Sequence, residues 1–245
     1  MSEAIYSALK SSASAHFTAL ETTANNLANV DTVGYRSMTP VFHEVLEGAN
    51  ASARENATVR ASVVRRTALD TTPGALRTTG NPLDLAFAPD TFLALSTPAG
   101  ERYTRAGSLK VAPDGTLTTQ RGMPVANAAQ EPIVVSPDAT VTISSQGEVL
   151  ANGASAGFLR MVSFAQPGEM SYEGQGVLTA NAEAGEATPT NGPIAVGQLE
   201  ESNASTVRAM TDMMSASRMF EALENAMGTF HQLDRRLVTT VPKAT

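Results

Sequence analysis

Ala209-Met210-Thr211-Asp212-Met213-Met214-Ser215-Ala216-Ser217-Arg218-Met219-Phe220-Glu221-Ala222-Leu223-Glu224-Asn225-Ala226-Met227-Gly228-Thr229-Phe230 is the stretch on which the fold turns. Within it Ala209, Met213, Ala216, Phe220, Leu223, Met227 and Phe230 recur at steps of three and four, which places them on one face of a helix. The period extends back to Leu199 and forward to Leu237, broken by Asp234. A helix over 199–238 would measure about 60 Å at 1.5 Å per residue. Glu200 and Glu201 at its start and Arg235 and Arg236 at its end would complement the helix dipole, and otherwise read as solvated charges. The methionines make an adaptable packing surface rather than a cofactor box.

The same period returns at the opposite end of the chain. Tyr6, Leu9, Ala13, His16, Leu20, Thr23 and Leu27 line one face of a helix over 3–29, about 40 Å long. Its other face is unusual. Between Ala4 and Val30 the only formal charges are Lys10 and Glu21, and the rest is Ser, Thr, Ala and Asn. Charge depletion of this kind suits a helix covered by protein on several sides. The stripe holds Ala, His and Thr at seam positions, so alone it buries little, and neighbours would complete it. Asn25, Asn26 and Asn29 crowd the end of the helix with side chains that bond to backbone. Gly34 is the left-handed stop.

Between these helical ends the pattern changes. Thr71-Thr72-Pro73-Gly74 and Gly80-Asn81-Pro82 are turns. From there to about residue 180, short strands alternate with turn signals every 8–12 residues: 91–96, 101–104, 108–112, 116–119, 132–135, 141–143, 148–151 and 158–164. Asp114-Gly115 between alternating residues marks a hairpin. Such spacing predicts an antiparallel sandwich or rolled barrel. Residues 40–46 read as a short helical or extended connector, followed by an Ala/Arg-rich loop and then a strand.

Composition narrows the function. Of 245 residues, 42% are hydrophobic, enough for a core, but aromatics are 5% and Trp is absent, so the core rests on aliphatic residues and Met. A net charge of −7 without a Lys/Arg stripe argues against nucleic acid as a partner. With no cysteine, disulfides, thiolate metal sites and a Cys nucleophile are excluded. The first residues carry no basic region followed by an apolar run, so no Sec-type signal peptide is expected, and no apolar run is long enough to predict a membrane span. Gly153-Ala154-Ser155-Ala156-Gly157 fits the G-x-S-x-G pattern, but 158–164 alternates like a strand where a nucleophile elbow needs a helix, so Ser155 reads as a hairpin residue. His16, His43 and His231 lie in or near the helical segments, and no metal-ligand spacing occurs. The expectation is a structural chain: no enzyme, no catalytic residue, no cofactor and no metal.

Several blocks resemble the bacterial flagellar rod, hook and hook-associated axial family. They are Ala24-Asn25-Asn26-Leu27-Ala28-Asn29 with Thr32-x-Gly34-Tyr35-Arg36, then Gly80-Asn81-Pro82-Leu83-Asp84-Leu85-Ala86. They continue with Thr97-Pro98-x-Gly100-x-x-Tyr103-Thr104-Arg105-Ala106-Gly107, Asp114-Gly115-x-Leu117 and Gly122-x-Pro124-Val125. The last is Leu199-Glu200-x-Ser202-Asn203, followed by Met210, Met214, Arg218 and Phe220-Glu221-Ala222. Ala4-Ile5-Tyr6, the modest length, and Ala88-Pro89-Asp90-Thr91-Phe92 where distal-rod relatives carry a glycine-rich run, resemble the proximal-rod branch. Distal-rod and hook subunits are the alternatives within the family. A cytoplasmic helical partner-binding module is the alternative outside it.

The residues and the resemblance together predict a mixed α and β fold. Long N- and C-terminal helices would form a coiled-coil-like antiparallel pair enclosing a mainly antiparallel β domain. Residues 1–36 and 199–245 would be the assembly domain, 37–80 a connector and 81–198 the β-rich domain. Leu9, Leu20, Leu27, Met213, Phe220, Leu223, Met227 and Phe230 are the expected packing residues. Asn25, Asn26 and Asn29 would satisfy backbone or cross-helix hydrogen bonds, Gly34 would permit the turn, and Leu83 and Leu85 would seat the β body. The resemblance implies a shaft subunit in the periplasm, carried out by the flagellar type III export apparatus with its N-terminus uncleaved. Its implied partners are other rod proteins and copies of itself.

Overall fold

A computed structural model describes residues 2–47 and 59–240, with side chains placed for 6–42 and 66–232. The chain divides into two units. One comprises Met1–Leu27, Thr39–Thr67 and Thr206–Thr245, and the other Ala28–Met38 and Ala68–Ser205.

In the first unit, helix α1 spans Ser2–Ala28. It buries Ala8, Ala13, Ala15, Ala19, Thr22 and Thr23, while Tyr6 and Phe17 are 38% and 46% exposed. The hydroxyls of a Ser/Thr-rich helix need partners, and they find them one turn back. Thr22 Oγ1 donates to Thr18 O at 2.8 Å, Thr23 Oγ1 to Ala19 O at 2.8 Å, and Thr18 Oγ1 to Ser14 O at 3.1 Å. A helix can thus bury Thr without an unsatisfied group. Strands β1 (Met38–Glu47) and β2 (Val59–Leu69) pair as a two-stranded ribbon. The connector expected at 40–46 is therefore extended. The loop expected after it lies, over 48–58, outside the described residues.

Helix α2 spans Thr206–Thr240. Its expected start at Leu199 is corrected, because Gln198–Glu200 is a strand. The dipole role given to Glu200 and Glu201 falls with it. Side chains beyond 232, including Arg235 and Arg236, lie outside the described set.

The coiled-coil-like pair is also corrected. A coiled coil needs large knobs filling holes at helix axes 8–10 Å apart, turn after turn. Among the described side chains, α1 buries only Ala and Thr and α2 only Ala209 and Ala216. Large side chains meet singly instead. The Tyr6 and His231 rings lie 4.9 Å apart, Phe17 and Phe220 5.9 Å, and His16 and Phe42 of β1 5.9 Å. Small residues at the buried positions leave no knobs to interdigitate.

The second unit is antiparallel throughout. Strand β3 (Leu76–Thr78) pairs with Gln198–Glu200, and β4 (Leu85–Phe87) with Ile194–Val196. Strands β5 (Thr91–Thr97) and β6 (Gly100–Thr104) are the centre of a six-stranded sheet, flanked by Val177–Thr179 and Ser171–Gly174 on one side and by Met161–Ser163 and Thr188–Pro189 on the other. A strand covered on one face alternates apolar and polar residues, but β5 is buried at Thr91 and through the whole Phe92-Leu93-Ala94-Leu95 run. Leu93 and Leu95 enter one core, with Leu85, Leu117, Val125 and Val149, while Phe92 and Ala94 enter a second, with Tyr103, Val162, Phe164 and Met170. The sheet thus separates two cores, each completed by other segments.

The Asp114-Gly115 turn follows the sequence expectation. Val111 pairs with Leu117 across Asp114-Gly115, where Asp114 Oδ1 accepts from Thr116 N at 3.0 Å. Glu148–Ala151 and Ala154–Phe158 are joined by Asn152 and Gly153, both at positive φ (51° and 82°) as a tight hairpin demands. Ser155 is an exposed strand residue of that hairpin. The strand expected at 132–135 is reduced to isolated bridges at Pro132 and Val134.

Candidate functional site

Three segments that resemble family signatures, far apart in sequence, meet in the β-rich unit. Residues 34–36 follow α1, 103–107 end β6 and begin the next turn, and 199–203 precede α2. Gly34 adopts φ +67°, and a Cβ there would lie 2.4 Å from the Arg105 carbonyl. Only glycine allows both the left-handed turn and this approach. Its N–H donates to Glu200 O at 2.8 Å. Gly107 is as tightly placed: an added Cβ would fall 1.8 Å from Leu85 O.

These approaches bring three charges together out of water. Arg36 Nη2 lies 2.6 Å from Glu200 Oε1, and Arg105 Nη2 lies 2.5 Å from Glu200 Oε2. The three residues are 4%, 2% and 2% exposed for Arg36, Arg105 and Glu200. Arg105 uses every donor it has. Nε and Nη2 reach Glu200 Oε2, Nη2 also reaches Phe87 O at 3.3 Å, and Nη1 reaches Thr91 O at 2.7 Å and Ala88 O at 3.2 Å. Its guanidinium also lies over the Phe92 ring, 5.7 Å from the centroid. Burial lowers the Arg36 pKa, and Arg105 lowers it further, against the opposing pull of Glu200, Asp70 and Asp90. Glu200 Oε1 also accepts from Gly74 N at 2.9 Å. Such bonds satisfy Arg105 and Glu200, as a buried ion pair requires, whereas Arg36 Nη1 is buried without a hydrogen-bond partner.

Asn203 forms a second layer. Its Oδ1 accepts from Ser37 N at 2.7 Å, and its Nδ2 donates to Asp70 O at 3.1 Å and Thr72 O at 3.0 Å. Its own N–H donates to Tyr35 O at 3.3 Å, and Asp70 N donates to Ser37 O at 2.8 Å. Tyr35 is 1% exposed and packs edge-on to Tyr172, with centroids 5.4 Å apart.

The expected packing residues sit elsewhere. Leu9, Leu20, Leu27, Met213, Phe220, Leu223 and Met227 are half-buried, and Phe230 is 37% exposed. Asn29 Oδ1 accepts from Thr32 Oγ1 at 3.1 Å, while Asn26 is half-buried and Asn25 exposed. Leu85 is fully buried in the first core and Leu83 packs against it. Reading Glu200 as solvated was wrong, and Arg36, Arg105 and Asn203 went unmarked as a constellation. The available signal was a charge next to an apolar residue inside each block, as in Tyr35-Arg36 and Leu199-Glu200. Among the described residues no His, Asp and Glu side chains gather as metal ligands, and no helix is long and apolar enough to cross a membrane.

Residues 8–36 match the profile of the flagella basal body rod protein, 87–151 that of the flagellar hook protein FlgE/F/G D1 domain, and 195–240 that of the flagellar basal body rod FlgEFG protein C-terminal region. The chain is 35% identical over 240 residues to the flagellar basal-body rod protein FlgF of Escherichia coli strain K12, covering 90% of this chain and 91% of that protein. It is 31% identical to FlgF of Mesorhizobium japonicum (82% and 83% covered), and 28% identical to the flagellar basal-body rod protein FlgG of Bacillus subtilis strain 168 (90% and 92%). The chain belongs to the flagellar basal-body rod protein family. It is a structural subunit of the basal body, not an enzyme, and it assembles with other flagellar components. That sets aside the cytoplasmic partner-binding module and the hydrolase reading of Ser155.

Proposed function

We infer that this chain is a proximal-rod subunit, one segment of a shaft that carries torque through the periplasm. The single observation that supports the reading most is the state of its seam. Leu9, Leu20, Leu27, Met213, Phe220, Leu223 and Met227 recur at helical spacing, yet none is fully buried by its own chain. Apolar area left partly in water is area that association can still remove. Copies of the same chain and neighbouring rod proteins would cover it, and head-to-tail contacts that do not close would generate a helical shaft. The helical unit is then the assembly domain, and the β-rich unit a self-sufficient body. Identity to the FlgF proteins of Escherichia coli and Mesorhizobium japonicum, 35% and 31%, against 28% to Bacillus subtilis FlgG, favours the proximal position over the distal one. Ala88-Pro89-Asp90, in place of a glycine-rich run, points the same way. Export through the flagellar type III apparatus, with the N-terminus retained, is the route this reading requires.

Leu223→Asp tests it. The variant is expected to leave the melting of the β-rich unit unchanged and to abolish incorporation into purified basal bodies. Unimpaired incorporation would remove the seam from assembly, and collapse of the β-rich unit would remove the division of labour.

A further inference from the structure

The chain passes between its two units four times, after residues 27, 38, 67 and 205. The segments of the β-rich unit that carry those passages are 28–38, the stretch beginning at 68, and the stretch ending at 205. Each is tied to the others by one side chain. Asn203 holds Ser37 N at 2.7 Å, Asp70 O at 3.1 Å and Thr72 O at 3.0 Å, and lies two residues from the last passage. Asp70 N to Ser37 O, 2.8 Å, closes the ring. Beneath it, Glu200 holds Gly34 N through its carbonyl, and Arg36 and Gly74 N through its carboxylate. Arg105 then anchors Glu200 to the carbonyls of Phe87, Ala88 and Thr91, beside the two-core sheet. All these atoms lie within the β-rich unit.

We propose that the Asn203–Glu200 knot is a force-transmitting joint, with Asn203 as its positioning residue: it gathers the chain passages after residues 38, 67 and 205 at one place and fastens them through Glu200 and Arg105 to the sheet. The proposal rests on the rod-subunit reading and deepens it. Pulling on one of these three passages meets the other two in parallel, so no single strand unpeels alone. Asn203 itself is half-buried, so its bonds add order at the passages more than they add buried area.

The test uses the full chain carrying Asn203→Ala or Asn203→Asp. Losing one hydrogen bond of ordinary strength corresponds to about a tenfold change in local opening. In Asn203→Ala, amide hydrogen exchange at Ser37 and Asp70 is expected to quicken about tenfold, with Ala94 and Val125 in the sheet unchanged. Asn203→Asp keeps the acceptor for Ser37 N and loses both donors, so Ser37 is expected to stay protected. In cells, rods carrying Asn203→Ala are expected in normal number, with rotation slowed in viscous medium and normal in dilute buffer. Unchanged exchange at Ser37 and Asp70, equal quickening at Ala94 and Val125, missing rods, or normal rotation under viscous load would each overturn the proposal. Absence of the wild-type chain from purified basal bodies is a different result, and would overturn the rod-subunit reading instead.

Discussion

The two units of this chain handle apolar surface in opposite ways. The β-rich unit finishes its own cores. Leu93 and Leu95 are sealed on one side of the central sheet, Phe92 and Ala94 on the other, and all four are at most 2% exposed. The helical unit leaves its surface open, with Val207, Met210 and Met214 at 76%, 50% and 55% exposure and, among the described side chains, only Ala209 and Ala216 buried on α2. A unit whose large side chains are already covered is stable alone, and one whose large side chains stay in water is poised for partners. On the proposed rod-subunit reading, the difference gives stability to the middle of the chain and association to its ends.

The sharpest way to break that contrast is at the buried charges. Glu200→Ala would leave Arg36 and Arg105 facing each other without a carboxylate, at a cost of about 3–5 kcal/mol. Thermal denaturation of the β-rich unit reads it, and a loss below about 1 kcal/mol would mean the triad is dispensable there. The apolar counterpart compares one residue from each unit. Leu93→Ala is expected to cost about 2–5 kcal/mol in the isolated chain, whereas Met214→Ala should stay within about 0.5 kcal/mol until the chain is assembled. Equal effects in the isolated chain would erase the distinction.

A smaller effect separates the two by pH. Burial and the Glu101 carboxylate push the Tyr103 hydroxyl up to about 12 from its ordinary value of 10.0, with Tyr103 Oη donating to Glu101 Oε2 at 3.3 Å. The folded chain therefore holds a proton that the unfolded chain releases above about pH 10. Stability from this group is full below that pH and is lost as pH rises towards 12. Denaturant midpoints of the β-rich unit should fall across that window, and Tyr103→Phe should flatten the decline.

How much of this was legible depends on the distance over which a pattern speaks. Periodicity is local, so α1 was readable almost to its ends and the Asp114-Gly115 hairpin could be placed from a few residues. The opening of α2 was misread because Leu199 continues the three–four spacing by coincidence, while pairing with Arg77 of β3 decides its conformation. The coiled-coil-like pair failed for a related reason. Spacing says which residues share a face, but not that Ala and Thr, rather than Leu and Met, would occupy the fully covered positions. Glu200 looked solvated because nothing near it in sequence is its partner.

From the sequence alone came the division into helical ends and a β-rich middle, the absence of cysteine chemistry, and the family blocks, all carried by neighbouring residues or by composition. Only the tertiary structure decided that three of those blocks close around one buried carboxylate, that a single sheet divides two cores, and that one asparagine ties the chain's passages. Those facts depend on groups that no local period relates, brought within 3 Å or so because burying a charge is tolerable only where its partners are already held in place.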